Sequence, residues 1–251
     1  MKVENIEPFE GKSYPSLLEL AKDCYLYPNR FNKFYNSNKF LSILKMEDEN
    51  KYQEFLKIKK VGYRNEVFNF KVSYLLNPYM KLSYEHFKFN SYKELGQTML
   101  NYGPVVDIYL KDLLIYHLLS EYMEKTGDDL RYNKIYLKVK ENEKKALSNQ
   151  NIAYWNLAFD LTESKELIYQ GKVFKTPNEF FKYVLVISDL VDFSSSFLED
   201  GYVICWLERL GYSYTVSRFL SLVSISNQID DMTRKEMTKN ILSSIDLDKD
   251  K

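Results

Sequence analysis

The sequence predicts a predominantly all-α fold arranged as a helical repeat array of three related units of about 75 to 88 residues. Three observations carry this reading. Only 8 Gly and 6 Pro occur among 251 residues, against an ordinary Gly usage of about 7%, which weighs against loop-rich β folds and glycine-loop nucleotide folds. Amphipathic, charge-rich segments recur with helical spacing. One motif appears three times: an aromatic residue, four residues, a second aromatic, any residue, Ser or Thr, two residues, Glu, then Leu or Phe.

In the first unit, residues 1–62, the motif runs from Phe9 through Tyr14 and Ser16 to Glu19 and Leu20. In the second, residues 63–147, it runs from Tyr84 through Phe89 and Ser91 to Glu94 and Leu95. In the third, residues 148–251 with C-terminal capping helices, it runs from Tyr169 through Phe174 and Thr176 to Glu179 and Phe180. The three units form one continuous structural domain. Ser16 with Glu19, Ser91 with Glu94 and Thr176 with Glu179 match the S/T-x-x-E capping box, whose hydroxyl and carboxylate satisfy backbone N–H groups at a helix start. Upstream, Glu10-Gly11 and Gln170-Gly171 suit a two-residue turn that needs positive φ, so a miniature β-hairpin is expected before each capped helix. His86 takes the glycine position in the second copy and requires a different turn.

A second, apolar helix follows each cap. Residues 34–44, 109–119 and 197–207 align there, the third copy after an insertion placed at Ser194, Ser195 and Ser196. Before copies two and three, Phe68, Phe70, Val72, Tyr74 and Leu76 match Ala153, Trp155, Leu157, Phe159 and Leu161, giving helices that end near Asn77-Pro78 and Thr162-Glu163. Residues 47–60 and 130–147 read as amphipathic connecting helices, residues 216–245 as a further helix pair, and residues 246–251 as a frayed polar tail. The result is an elongated, solenoid-like array, with a compact bundle of three pseudo-equivalent units as the competing geometry.

The composition narrows function. Thirty-five Lys and Arg balance 35 Asp and Glu, and 45% of residues are hydrophobic, which excludes a disordered chain and gives no overall basic excess for phosphate binding. Cys24 and Cys205 sit in apolar surroundings and are read as reduced. The first residues lack a signal-peptide apolar core and no run approaches the ~18 apolar residues of a membrane span, so a cytoplasmic location without a membrane partner is expected.

Catalytic chemistry is sparsely signalled. His86 and His117 have no Cys or acidic residue at ligand spacing, so no metal is expected. His117 falls on the second-copy apolar helix at the position of Cys205 and reads as a core or groove residue. Phosphate-cradling glycine loops are missing, and no cofactor is expected. The acid pairs Asp128-Asp129 and Asp230-Asp231, with Glu47-Asp48-Glu49, suit helix starts, where negative charge meets the positive end of the dipole.

These features predict a non-enzymatic protein–protein interaction module: an adaptor, accessory or inhibitor subunit of a bacterial or phage system whose helical surface holds another protein. The alternative is a nucleic-acid-associated accessory protein that binds RNA or single-stranded DNA through Lys57, Lys59, Lys60, Tyr63, Tyr136, Lys138 and Lys140, combining phosphate contacts with base stacking. A third reading is an enzyme that brings His117 together with Asp107 or Asp112 and a hydroxyl. For the capping box, Ser91→Ala is expected to cost about 0.5–2 kcal/mol of stability, measured by denaturant unfolding; an unchanged midpoint would remove the cap assignment.

Overall fold

A computed structural model of the chain describes residues 6–9, 11–26, 28–106, 108–187, 190, 193 and 200–245, and these are predominantly helical. Glu10, Asp107, the Ser194 to Ser196 insertion, residues 197–199 and the tail 246–251 lie outside them. Three two-stranded antiparallel hairpins punctuate the helices: β1 (Ile6–Phe9) with β2 (Lys12–Tyr14), β3 (Ser83–Tyr84) with β4 (Phe87–Lys88), and β5 (Leu167–Tyr169) with β6 (Lys172–Phe174). Their turns follow the local chemistry. Gln170 and Gly171 have φ of 48° and 75°, the paired left-handed geometry of a type I′ turn. In the second hairpin, which lacks glycine, the left-handed residue is Glu85 at φ 53°.

Each hairpin leads into a helix: α1 (Leu17–Leu26), α6 (Tyr92–Val106) and α12 (Pro177–Ile187). Ser16 Oγ accepts from the Glu19 N–H and Thr176 Oγ1 from the Glu179 N–H, each at 3.3 Å. The side-chain oxygen thus supplies a partner that the first helical turn lacks.

The helices α2 (Pro28–Tyr35), α3 (Asn38–Glu47), α4 (Glu49–Val61) and α5 (Asn65–Leu76) follow α1. The stretch read as one connecting helix over residues 47–60 is interrupted at its start by Asp48. This residue closes α3 through its backbone N–H and opens α4 by accepting from the Asn50 and Lys51 N–H groups. A second acid pair behaves alike: Asp230 accepts from the Thr233 N–H and hydroxyl, and the backbone donor foremost holds its carboxyl below the usual range.

After α6 come α7 (Ile108–Ile115), α8 (Leu118–Thr126), α9 (Asp128–Arg131), α10 (Asn133–Lys145) and α11 (Gln150–Thr162). Past α12 the described helices are α13 (Tyr202–Arg209), α14 (Ser213–Ile225) and α15 (Asp231–Ser243). The chain divides into two compact units, one of residues 1–91 and 109–140, the other of residues 92–108 and 141–251.

In the first unit α1 and α4 pack on α5. Tyr35, Phe40, Phe55 and Phe68 form a cluster of tilted and edge-on rings with centroids 5.1–6.5 Å apart, the geometry that suits aromatic quadrupoles. The Tyr74 hydroxyl donates to the Lys81 carbonyl at 2.8 Å and accepts from the Ser83 N–H at 2.9 Å, pinning the β3–β4 hairpin to α5. Both cysteines are buried free thiols, and desolvation pushes each thiol well up.

In the second unit α6 lies against α11. Trp155 on α11 donates its Nε1–H to Asp200 at 2.9 Å and stacks on Tyr202 at 4.2 Å. Trp206 donates to the Lys165 carbonyl at 2.9 Å, and the Tyr202 hydroxyl accepts from the Ile168 N–H at 3.1 Å, so two side chains of α13 hold the β5 end. The approach of α6 to α11 depends on Gly96. A Cβ there would lie 2.7 Å from Leu161 Cβ, 2.9 Å from Thr162 Cγ2 and 3.0 Å from the Ala158 carbonyl oxygen. In a free helix Gly→Ala would gain about 1 kcal/mol, but overpacking against fixed atoms costs about 1–3 kcal/mol. Gly96→Ala is therefore expected to destabilise the protein, read as a lower denaturation midpoint; a raised midpoint would refute the close approach.

Candidate functional site

The described residues of the first unit enclose a cleft of about 350 Å³ built by the end of α4, the residues that follow it, α5 and α8. Gly62, at φ 72°, ends α4 in the left-handed conformation and turns the chain so that Tyr63 and Arg64 lead into α5. Ile58, Val61 and Tyr63 supply apolar lining; Glu54, Lys57, Lys71, Glu121, Glu124 and Lys125 supply charge.

The charges are organised around Lys71. Its side chain is only 5% exposed, yet its ammonium pairs with Glu121, whose side chain is 38% exposed. The Tyr63 ring centroid lies 5.1 Å from Lys71 Nζ. A buried ammonium is costly unless opposed by an anion and polar contacts, and the carboxylate with the ring face meets that requirement. Burial, followed by the Glu121 charge, raises the Tyr63 hydroxyl above the usual tyrosine range. Lys125 pairs with Glu54 at 2.7 Å, and the Tyr136 hydroxyl donates to Glu124 at 2.6 Å. Every carboxylate lining the cleft is thereby engaged, while Lys57 carries no counterion among the described residues.

A buried anchor stands at the N-terminal end of α5. Asp112 on α7, 5% exposed, accepts from the Tyr84 hydroxyl at 2.7 Å and pairs with Arg64. Arg64 also lies 5.6 Å from the Tyr109 ring. Burial pushes the Tyr84 hydroxyl up, against the opposing pull of Arg64.

The residues singled out in sequence fall as follows. Lys57 and Tyr63 line the cleft; Lys59 and Lys60 are exposed in the same last turn of α4. Tyr136 reaches the cleft's rim through Glu124, Lys140 donates to Ser120 on α8 at 3.5 Å, and Lys138 is exposed on α10. His117 does not occupy an apolar helix position: it is an exposed left-handed residue, φ 56°, immediately before α8. Asp112 is committed to Arg64 and Tyr84, and Asp107 lies outside the described residues.

Sequence reasoning missed Lys71, Glu121 and the Lys125–Glu54 pair. Lys71 stands inside the apolar run of α5, between Phe70 and Val72, and a lysine with no solvent-facing neighbours requires a carboxylate from elsewhere in the fold. Among the described residues no three His, Cys, Asp or Glu side chains gather in a metal-binding group, and no helix is long and apolar enough to cross a membrane.

The pair yields an ordered prediction. Glu121→Gln strands a buried ammonium, and with the partial screening that Glu121 receives from solvent the cost is about 1–3 kcal/mol. Lys71→Met preserves volume and leaves a carboxylate able to turn to water, so it is expected to cost less; denaturant unfolding of both variants checks the order, and the reverse order would refute the burial asymmetry.

No family model matches the chain, and no curated protein or solved structure matches it either.

Proposed function

We propose that the chain is a non-enzymatic protein–protein interaction module that uses the first-unit cleft as part of its binding surface. The carrying observation is the state of the cleft's charges. Its acids are held by Lys71, Lys125 and Tyr136, leaving aliphatic and aromatic lining beside Lys57, which has no counterion among the described residues. Such a surface recognises shape and charge; general acid–base work asks for a group poised to exchange a proton. Val61, 62% exposed, extends the apolar lining to the surface.

A related construction of the second and third sequence units accompanies this reading. Two helices begin after a left-handed residue, His117 at φ 56° and Gly201 at φ 87°, 84 positions apart. Each then sends a ring donor to the carbonyl just before a hairpin: Tyr122 to Met80 at 3.4 Å and Trp206 to Lys165 at 2.9 Å. These correspondences support a repeat with a register near 84 residues at that helix, shorter than the sequence alignment implied.

The second reading, RNA or single-stranded DNA binding, is favoured by Lys57, Lys59 and Lys60, which have no acidic partner among the described residues, next to Tyr63. One experiment separates the two. Tagged chain is purified from its native host with cross-linking and mass spectrometry, alongside Val61→Glu. The interaction module predicts one protein recovered in stoichiometric amount, cross-linked through Lys57 or Lys125 and lost in the variant at unchanged melting temperature. Recovery of nuclease-sensitive nucleic acid with no protein partner would favour the second reading, and equal recovery by both forms would remove the cleft from the surface.

A further inference from the structure

A second pocket, of about 390 Å³, lies in the second unit between α14 and α15, lined by Ser217, Arg218, Ser221, Met237, Asn240 and Ile241. Its volume falls within the range of small-molecule sites. The lining carries one guanidinium, two hydroxyls and one amide, and no carboxylate.

Arg218 is the telling residue. Among the five arginines whose side chains are described, four hold an aspartate: Arg64 with Asp112, Arg131 with Asp128, Arg209 with Asp160 and Arg234 with Asp231. Arg218 has none among the described residues; its contacts there are a hydrogen bond to Ser244 Oγ and the Tyr214 ring at 5.8 Å. A guanidinium has five N–H donors in a planar fork suited to bidentate binding of carboxylate or phosphate. The ring and the serine hold that fork in place, so less side-chain freedom remains to be lost on binding. Ser217 and Ser221 commit their hydroxyl protons to the Ser213 and Ser217 carbonyls at 2.9 Å, so the donors the lining offers an oxyanion, which can only accept, are the Arg218 guanidinium and the Asn240 amide. Met237 and Ile241 form the apolar wall.

We infer that this pocket binds a small molecule bearing an oxyanion, a carboxylate or a phosphate, attached to a short aliphatic group, with Arg218 as the anion-binding residue. The site is separate from the first-unit cleft, so its fate does not depend on the interaction reading.

The test is a titration of the ¹⁵N-labelled chain followed by NMR, with butyrate and butyl phosphate as probes and butanol as the uncharged control. Saturable shifts of the 217–221 and 237–241 amides are expected from at least one anion and not from butanol, and the anion that saturates first identifies the head group. Arg218→Gln should weaken binding about tenfold or more, and Arg218→Lys should retain part of it. Met237→Glu, which places a carboxylate in the same pocket, should abolish binding with the guanidinium present. Equal shifts from butanol, unchanged affinity in Arg218→Gln or Met237→Glu, or no saturable shift from either anion would overturn the assignment.

Discussion

Each unit is organised by one helix with almost no solvent face, and that constraint governs the rest of its structure. On α5, Val67 and every residue from Asn69 to Leu76 are buried; on α11, the run from Ala153 to Phe159 and Leu161 are buried. Helices of this kind are stabilised by apolar surface removed from water, at about 25 cal/mol per Å², and they oblige neighbouring elements to cover them on all sides. Every polar side chain they carry must then find a partner inside the protein.

The two helices meet this demand with interhelical ion pairs of opposite polarity. On α5 the cation is Lys71 and the carboxylate comes from Glu121 of α8; on α11 the carboxylate is Asp160 and the cation comes from Arg209 of α13. Asn142 adds a second donor to Asp160 at 3.0 Å. On α5 the Asn69 side-chain amide has no hydrogen-bond partner among the described residues, while Ser73, one turn on, faces the Tyr35 hydroxyl. An unpaired buried amide of this kind costs about 1–3 kcal/mol, which the surrounding aromatic packing must offset. The first-unit cleft is a consequence of the same demand. The buried lysine draws Glu121 of α8 to α5, and the other acids of the lining, Glu54 and Glu124, are held by Lys125 of α8 and the Tyr136 hydroxyl of α10.

Local chemistry was legible in sequence. The hairpin turn at Gln170-Gly171, the hydroxyl caps at Ser16 and Thr176, and the ends of α5 and α11 depend on residues within a few positions of one another. Asp48 is legible as a helix-start residue within Glu47-Asp48-Glu49, yet the charge pattern read as a helix over 47–60 runs across it, whereas the residue closes α3 and opens α4. His117 shows a second failure. Alignment by apolar pattern placed it in a helix, whereas the backbone uses it as a left-handed connector.

The sequence by itself determined the helical character of the chain, its three hairpins, the hydroxyl caps at Ser16 and Thr176 and its balanced charge, because turn chemistry, capping and amphipathic periodicity act over a few residues. Only the tertiary structure decided which lysine is buried and which carboxylate answers it. Lys71 and Glu121 are 50 positions apart, Lys125 and Glu54 are 71, and Arg209 and Asp160 are 49. Coulombic pairing has no sequence period: it is set by the distance between charges and the solvent displaced around them, and both exist only once the helices are packed.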